Sequence, residues 1–216
     1  MTVKAIIFDL DGTLLNTLED LADSMNRVLE RMGFPTHPTD AYKYFVGDGI
    51  EILARRVLPE TRQNMQTVNS CVEEMKREYG AHWQDKTCPY KGVNDMLHVL
   101  AERNVSLNIL SNKPDALTQL TVSAFFHSCS FDIVAGAKKE IPKKPDPTSA
   151  LHIIKALNLP SNQFLYLGDT NTDMETAKNA GIFAIGALWG FRTAAELRAS
   201  GAQALLEQPL DILQHI

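Results

Sequence analysis

Between residues 93 and 187 the chain alternates helix-spaced segments with short apolar runs, and that rhythm leaves few folds open. Apolar runs fall at 105–110, 131–135, 163–167 and 182–187, with helical spacing at 93–103, 115–126, 147–157 and 171–180. A further run at 3–8 is mostly apolar and rich in β-branched side chains, as expected of a central parallel strand. Parallel strands need long crossovers, and helices supply them while covering the sheet. The alternation therefore predicts an α/β parallel sheet flanked by helices. Two short helices are expected to close the chain.

Residues 16–85 interrupt this pattern. Leu18, Leu21, Met25, Val28, Leu29 and Met32 recur at helical spacing, and Gly33 ends the run. Thr39 is placed to cap a short helix reaching Val46, which Gly47-Asp48-Gly49 breaks. Helical spacing resumes over 50–58, and beyond Pro59 a long polar helix is predicted over 61–83. The expected organisation is a discontinuous α/β core, 1–15 and 86–216, with a helical insertion at 16–85. Inserted just after the first strand, that block is expected to lie over the strand ends as a lid.

Charge and cysteine usage narrow the partners. Asp and Glu number 26 against 21 Lys and Arg, a net charge of −5 that favours neither nucleic acid nor an anionic membrane. No apolar run approaches the ~20 residues of a membrane-spanning helix. Met1 runs straight into the first strand, so no signal peptide is expected. Cys71, Cys88 and Cys129 are widely spaced without a CxxC pair, and read as reduced thiols. The expectation is a soluble cytoplasmic protein.

The chemistry gathers where strands end. The first strand runs into Asp9-Leu10-Asp11-Gly12-Thr13, the run 105–110 into Ser111-Asn112-Lys113, and the run 163–167 into Gly168-Asp169-Thr170-Asn171-Thr172-Asp173. Lys143-Lys144-Pro145 precedes the helix predicted at 147–157. In a parallel sheet these ends share one edge, where open α/β sheets bind their ligands. Carboxylates, a hydroxyl, an amide and an ammonium would then converge. Such a set suits phosphoryl transfer: a carboxylate attacks, a neighbour moves the proton, and a hard cation with a lysine offsets the anionic substrate. Blander readings stand beside these. Ser111 can serve as a helix cap, Asp173 as a first-turn carboxylate, and Gly12 and Thr13 as parts of a turn. Lys113, Lys138, Lys139 and Lys143 read as solvated charges.

Asp9-Leu10-Asp11-Gly12-Thr13, Ser111-Asn112, Lys144-Pro145 and Gly168-Asp169 with Asp173 resemble, in order, the four motifs of the haloacid dehalogenase-like hydrolases. The resemblance covers essentially the whole chain and is closest to the phosphoglycolate phosphatase-like branch. It implies a Rossmann-like core with a helical cap and a Mg²⁺-dependent phosphatase working through an aspartyl phosphate. Asp9 would be nucleophile and metal ligand. Asp11 would be general acid/base, with its backbone carbonyl on the metal. Ser111 and the Asn112 backbone would hold phosphoryl oxygens, Lys144 would neutralise charge, and Asp169 would complete the metal site. Asp173 would either contact the metal shell or orient Lys144. Gly47-Asp48-Gly49 resembles the family's substrate loop, which makes Gly47 and Gly49 candidate substrate-binding positions. His37, Lys43, Arg55 and Arg56 are candidates to meet a substrate anion. The partner implied is a small phosphorylated metabolite, and the protein a monomer or homodimer. Phosphoglycolate is the leading substrate; a β-phosphoglucomutase-like isomerase and a pyrophosphatase are the alternatives. Asn16, where many relatives have Asp, and Lys91, in place of a common proline, depart from the pattern near the cap hinges.

Overall fold

The computed structural model describes residues 3–216. The chain opens with β1 (Ala5–Phe8), whose four residues are all buried, and leaves the sheet through β2 (Leu15–Asn16). It then forms α1 (Leu18–Arg31), α2 (Tyr42–Phe45), α3 (Ile50–Val57) and α4 (Met65–His82), and returns through β3 (Cys88–Pro89). The remainder alternates: α5 (Val93–Glu102), β4 (Ser106–Pro114), α6 (Asp115–Phe125), β5 (Ile133–Ala137), α7 (Thr148–Leu157), β6 (Phe164–Gly168), α8 (Asn171–Ala180) and β7 (Phe183–Ala187). It ends with α9 (Ala194–Ala199), β8 (Ala204–Leu206) and a 3₁₀ segment, Pro209–His215. The expected closing pair of short helices is present as α9 and the 3₁₀ segment, and β8 stands between them unforeseen. Three residues carry little periodicity, and the parallel neighbour β7 supplies the pairing that makes them a strand.

The chain divides into two compact units, Met1–Leu15 with Pro89–Ile216, and Asn16–Cys88. The return crossing falls later than the expected 85/86. Asp20 on α1 accepts hydrogen bonds from the backbone amides of Lys86 and Thr87 and from the Thr87 hydroxyl at 2.7 Å, which ties these residues to the helical unit.

In the first unit six strands pair in the order β5-β4-β1-β6-β7-β8, and every pairing is parallel. Alternation along β1 sends Ile6 and Phe8 into one core layer with Met96, Leu97 and Leu100 of α5, and Ala5 and Ile7 into the other with Tyr166, Met174 and Ala177. Full burial of the large aliphatic, Met and Phe side chains among them contributes about 1.5–3 kcal/mol each. It also settles the register, because a one-residue slip would exchange the two faces. Phe8 pairs with Ile109 and Leu167, so the chain beyond all three strands emerges at one edge.

The second unit is helical. Asn26 of α1 organises it: its amide donates to the His37 carbonyl at 2.9 Å and its carbonyl oxygen accepts from the Tyr42 hydroxyl at 2.7 Å. Thr39 does not cap as expected but sits inside a 3₁₀ turn, Thr39–Ala41, with no side-chain cap. α4 starts at Met65 because Asn64 caps it, accepting from the Thr67 amide, whereas residues 60–62 form a separate 3₁₀ turn. Among the described residues no helix is long and apolar enough to cross a membrane.

Candidate active site

Asp9 follows directly on β1, and its amide donates to the Leu167 carbonyl at 2.9 Å, so pairing with β6 extends to the carboxylate itself. Its side chain is buried beside the Lys144 ammonium, at 2.8 Å. The same ammonium reaches Asp173 at 2.6 Å and is itself buried. Carboxylate oxygens of Asp9, Asp169 and Asp173 lie within 4.8 Å of one another. Three buried acids therefore face one buried cation.

That imbalance shows in the protonation of the group. Burial, with the Asp173 charge, pushes the Asp9 carboxyl up to about 7 against the pull of Lys144. Burial and the Asp173 and Asp9 charges also raise Asp169 well above the usual carboxylate range, although the Phe191 amide and Thr13 hydroxyl oppose this. For Lys144, burial favours the neutral amine, but Asp173 and Asp9 outweigh it and hold the ammonium well above its usual range. A compact set of hard oxygen donors, short of positive charge and enclosed on a rigid sheet edge, fits a divalent cation.

Asp169 is held from both sides. Thr13 Oγ1 donates to one carboxylate oxygen and the Phe191 amide to the other, each at 2.8 Å. Gly12 makes this close approach feasible. Its φ of 91° suits glycine, and a Cβ there would collide with Asp169 Oδ2 and stand 2.7 Å from the Phe191 ring. Asp173 closes a capping box at the start of α8, where its carboxylate accepts from the Thr170 amide and the Thr170 hydroxyl accepts in return. Its other oxygen takes the Lys144 ammonium and the Tyr166 hydroxyl, the latter at 3.3 Å. Capping and orienting Lys144 are thus one arrangement rather than competing roles. At Gly168 a Cβ would strike the Asp173 side chain, so the glycine before Asp169 gives room to Asp173.

The motif at the end of the run 105–110 behaves differently from expectation. β4 continues to Pro114, with an irregularity in its pairing beyond Leu110. Ser111 is buried, and its hydroxyl accepts from the Lys113 amide at 3.1 Å. The Asn112 side chain donates to the Lys144 carbonyl at 3.1 Å and accepts from the Lys144 amide at 2.9 Å, a two-bond clamp on the backbone that carries the ammonium. Lys113 is not a solvated charge. Only 3% of its side chain is exposed, and its ammonium pairs with Asp11 at 2.7 Å. Lys138, Lys139 and Lys143 are exposed as expected.

Sequence reasoning thus missed Lys113, the Asn112 clamp, the Tyr166 hydroxyl and the part Thr13 plays in holding Asp169. Lys113 and Thr13 carried a signal, because each directly follows residues already placed at a strand end. Tyr166 and the Asn112 clamp depend on contacts across the fold.

Gly47 and Gly49 lie in the helical unit, flanking Asp48 with φ of 109° and 92°. Asp48 pairs with Arg56 at 2.5 Å, and Arg56 also donates to the Phe45 carbonyl. Lys43 pairs with Asp40, Arg55 reaches the Gln63 carbonyl and His37 the Val57 carbonyl. These four candidates for an anion therefore all make contacts inside their own unit.

Residues 6–187 match the family profile of the haloacid dehalogenase-like hydrolases. A phosphoglycolate phosphatase of Aquifex aeolicus is 28% identical over 98% of this chain and 96% of its own length. That of Pseudomonas putida is 27% identical over 94% of this chain and 76% of its own. A crystal structure from Lactobacillus delbrueckii subsp. bulgaricus, provisionally named a phosphoglycolate phosphatase, superposes with a TM-score of 0.94 at 31% identity, covering 100% of this chain and 99% of that one. Profile, relatives and fold agree that the chain belongs to the haloacid dehalogenase-like hydrolases, as a phosphoric monoester hydrolase.

Proposed function

We propose that the protein is a Mg²⁺-dependent phosphatase that hydrolyses a small phosphate monoester, with 2-phosphoglycolate as its leading substrate, through an aspartyl phosphate on Asp9. One observation carries this reading: a buried carboxylate at the end of the central strand lies 2.8 Å from a buried ammonium and beside two further carboxylates. The phosphoglycolate phosphatases among the relatives supply the substrate.

Asp9, Asp169 and the backbone carbonyl of Asp11 would hold the cation, with Asp173 at its margin. Mg²⁺, when bound, supplies positive charge that offsets repulsion between the carboxylates and the phosphoryl dianion. Asp9 then attacks phosphorus through a carboxylate oxygen as the ester P–O bond breaks, while Asp11 passes a proton to the departing alkoxide. In the second half Asp11 takes a proton from water, the water oxygen bonds to phosphorus, and the acyl-phosphate bond breaks to restore Asp9. Lys144 counters negative charge on Asp9 and the phosphoryl group throughout, and Ser111 with the Asn112 backbone donates to phosphoryl oxygens.

Phosphate release across a panel of phosphorylated metabolites, with Mg²⁺ and with chelator, tests this. The expectation is Mg²⁺-dependent release with 2-phosphoglycolate among the best substrates. Metal-independent release would overturn the mechanism. Release confined to other esters would overturn the substrate alone.

A further inference from the structure

Lys113 is a buried cation that the mechanism above does not use. Its amide donates to the Ser111 hydroxyl at 3.1 Å and its carbonyl accepts from the Thr118 hydroxyl at 3.1 Å, so its backbone is fastened on both sides. The side chain runs from β4 to the turn after β1 and ends 2.7 Å from Asp11 Oδ1. Asp11 itself is half-buried, with 19% of its side chain exposed, and among the described residues its second oxygen, Oδ2, takes no hydrogen bond. One carboxylate oxygen is thus tethered and the other is left facing its surroundings.

We propose that Lys113 is a positioning residue for the acid/base carboxylate: its ammonium fixes Asp11 through Oδ1 so that Oδ2 is the oxygen that carries the proton. The inference rests on the function proposed above and extends it to a residue outside the four motifs. A carboxylate on a short side chain can rotate about two bonds, and proton transfer needs its reacting oxygen within hydrogen-bond reach of the alcohol and then of water. A charge-assisted bond to one oxygen removes most of that freedom while leaving the other oxygen for chemistry. Lysine reaches from the neighbouring strand, and its own burial keeps water from competing for the contact. The role belongs to both half-reactions, because the same Oδ2 gives the proton and later takes one.

Lys113→Met keeps the length and apolar stem and removes the charge. On the ester the wild type hydrolyses best, kcat is expected to fall about 10²-fold or more, with KM changed less than about threefold. Lys113→Arg, which restores a cation, is expected to recover most of that loss. A kcat for Lys113→Met within threefold of wild type would overturn the proposal. A loss expressed in KM alone would also overturn it, since that marks a cation binding substrate directly. Should Lys113→Met not fold, Asp11→Asn with and without Lys113→Met decides the matter, because the double substitution leaves no unpaired buried charge. With Asp11 already disabled, removing Lys113 should lower the residual rate on p-nitrophenyl phosphate less than threefold; a further tenfold loss would show an independent role. A wild-type protein inactive on every ester would instead refute the phosphatase reading, not this one.

Discussion

Removing the proposed nucleophile should make the metal-free protein more stable. Asp9 is buried, and its carboxyl is pushed from 3.8 to about 7, chiefly by burial and then by Asp173. The folded protein therefore keeps this proton up to about pH 7, while the unfolded chain releases it near 3.8. Between those values the folded state binds more protons, so Asp9 lowers stability as pH rises, and the full penalty is present above about pH 7. About three pKa units at roughly 1.4 kcal/mol each give about 4 kcal/mol. Asp9→Asn replaces the carboxylate by a neutral side chain of the same shape, and Lys144 keeps Asp173 at 2.6 Å. At pH 8 with chelator the variant should melt higher than wild type by roughly 8–16 °C for a chain of this size. At pH 5 the gain should shrink to less than half, because wild-type Asp9 is then mostly protonated. Excess Mg²⁺ at pH 8 should stabilise the wild type more than the variant, which lacks one of the proposed ligands. Differential scanning calorimetry across pH, with and without Mg²⁺, reads all three. A variant that melts at or below wild type at pH 8 in chelator would refute the reasoning, since burial of the charge would then be more than repaid by the Lys144 pair.

Gly12→Ala places a Cβ against Asp169 Oδ2 and the Phe191 ring in a left-handed backbone, and should lower kcat/KM by about 10²-fold or more through displacement of Asp169. Thr13→Val removes the 2.8 Å donor to Asp169, and the Mg²⁺ concentration for half-maximal activity should rise about 10–100-fold, measured by titration. Asp20→Ala leaves the Lys86 and Thr87 amides and the Thr87 hydroxyl without their buried acceptor, and should cost about 2–4 kcal/mol in urea unfolding.

Much of this molecule is legible in the sequence alone. The period-2 and period-3.6 patterns are local, so strands and helices fell close to their expected places, with α8 at 171–180 as expected. Its ends are marked in the sequence by the Thr170–Asp173 capping box and Gly181. β8 escaped because a three-residue strand exists only through its neighbour. The return crossing at Cys88/Pro89 escaped because Asp20 holds it across 66 residues of chain.

By itself the sequence determined which residue types could do chemistry and where they stood: Asp9, Asp11, Ser111, Lys144 and Asp169, with the Gly12 turn directly after the first two. Tertiary structure decided their partners. Parallel pairing of β1 with β4 and β6 converted three distant segments into one edge, and only that edge puts Lys144 between Asp9 and Asp173, the Asn112 amide on the Lys144 backbone, and the Lys113 ammonium on Asp11. The physical reason is the range of the forces. Propensity and periodicity act over a few residues along the chain, whereas burial and charge pairing depend on neighbours in space, and Lys113 became a buried cation only when β4 carried it to the first strand.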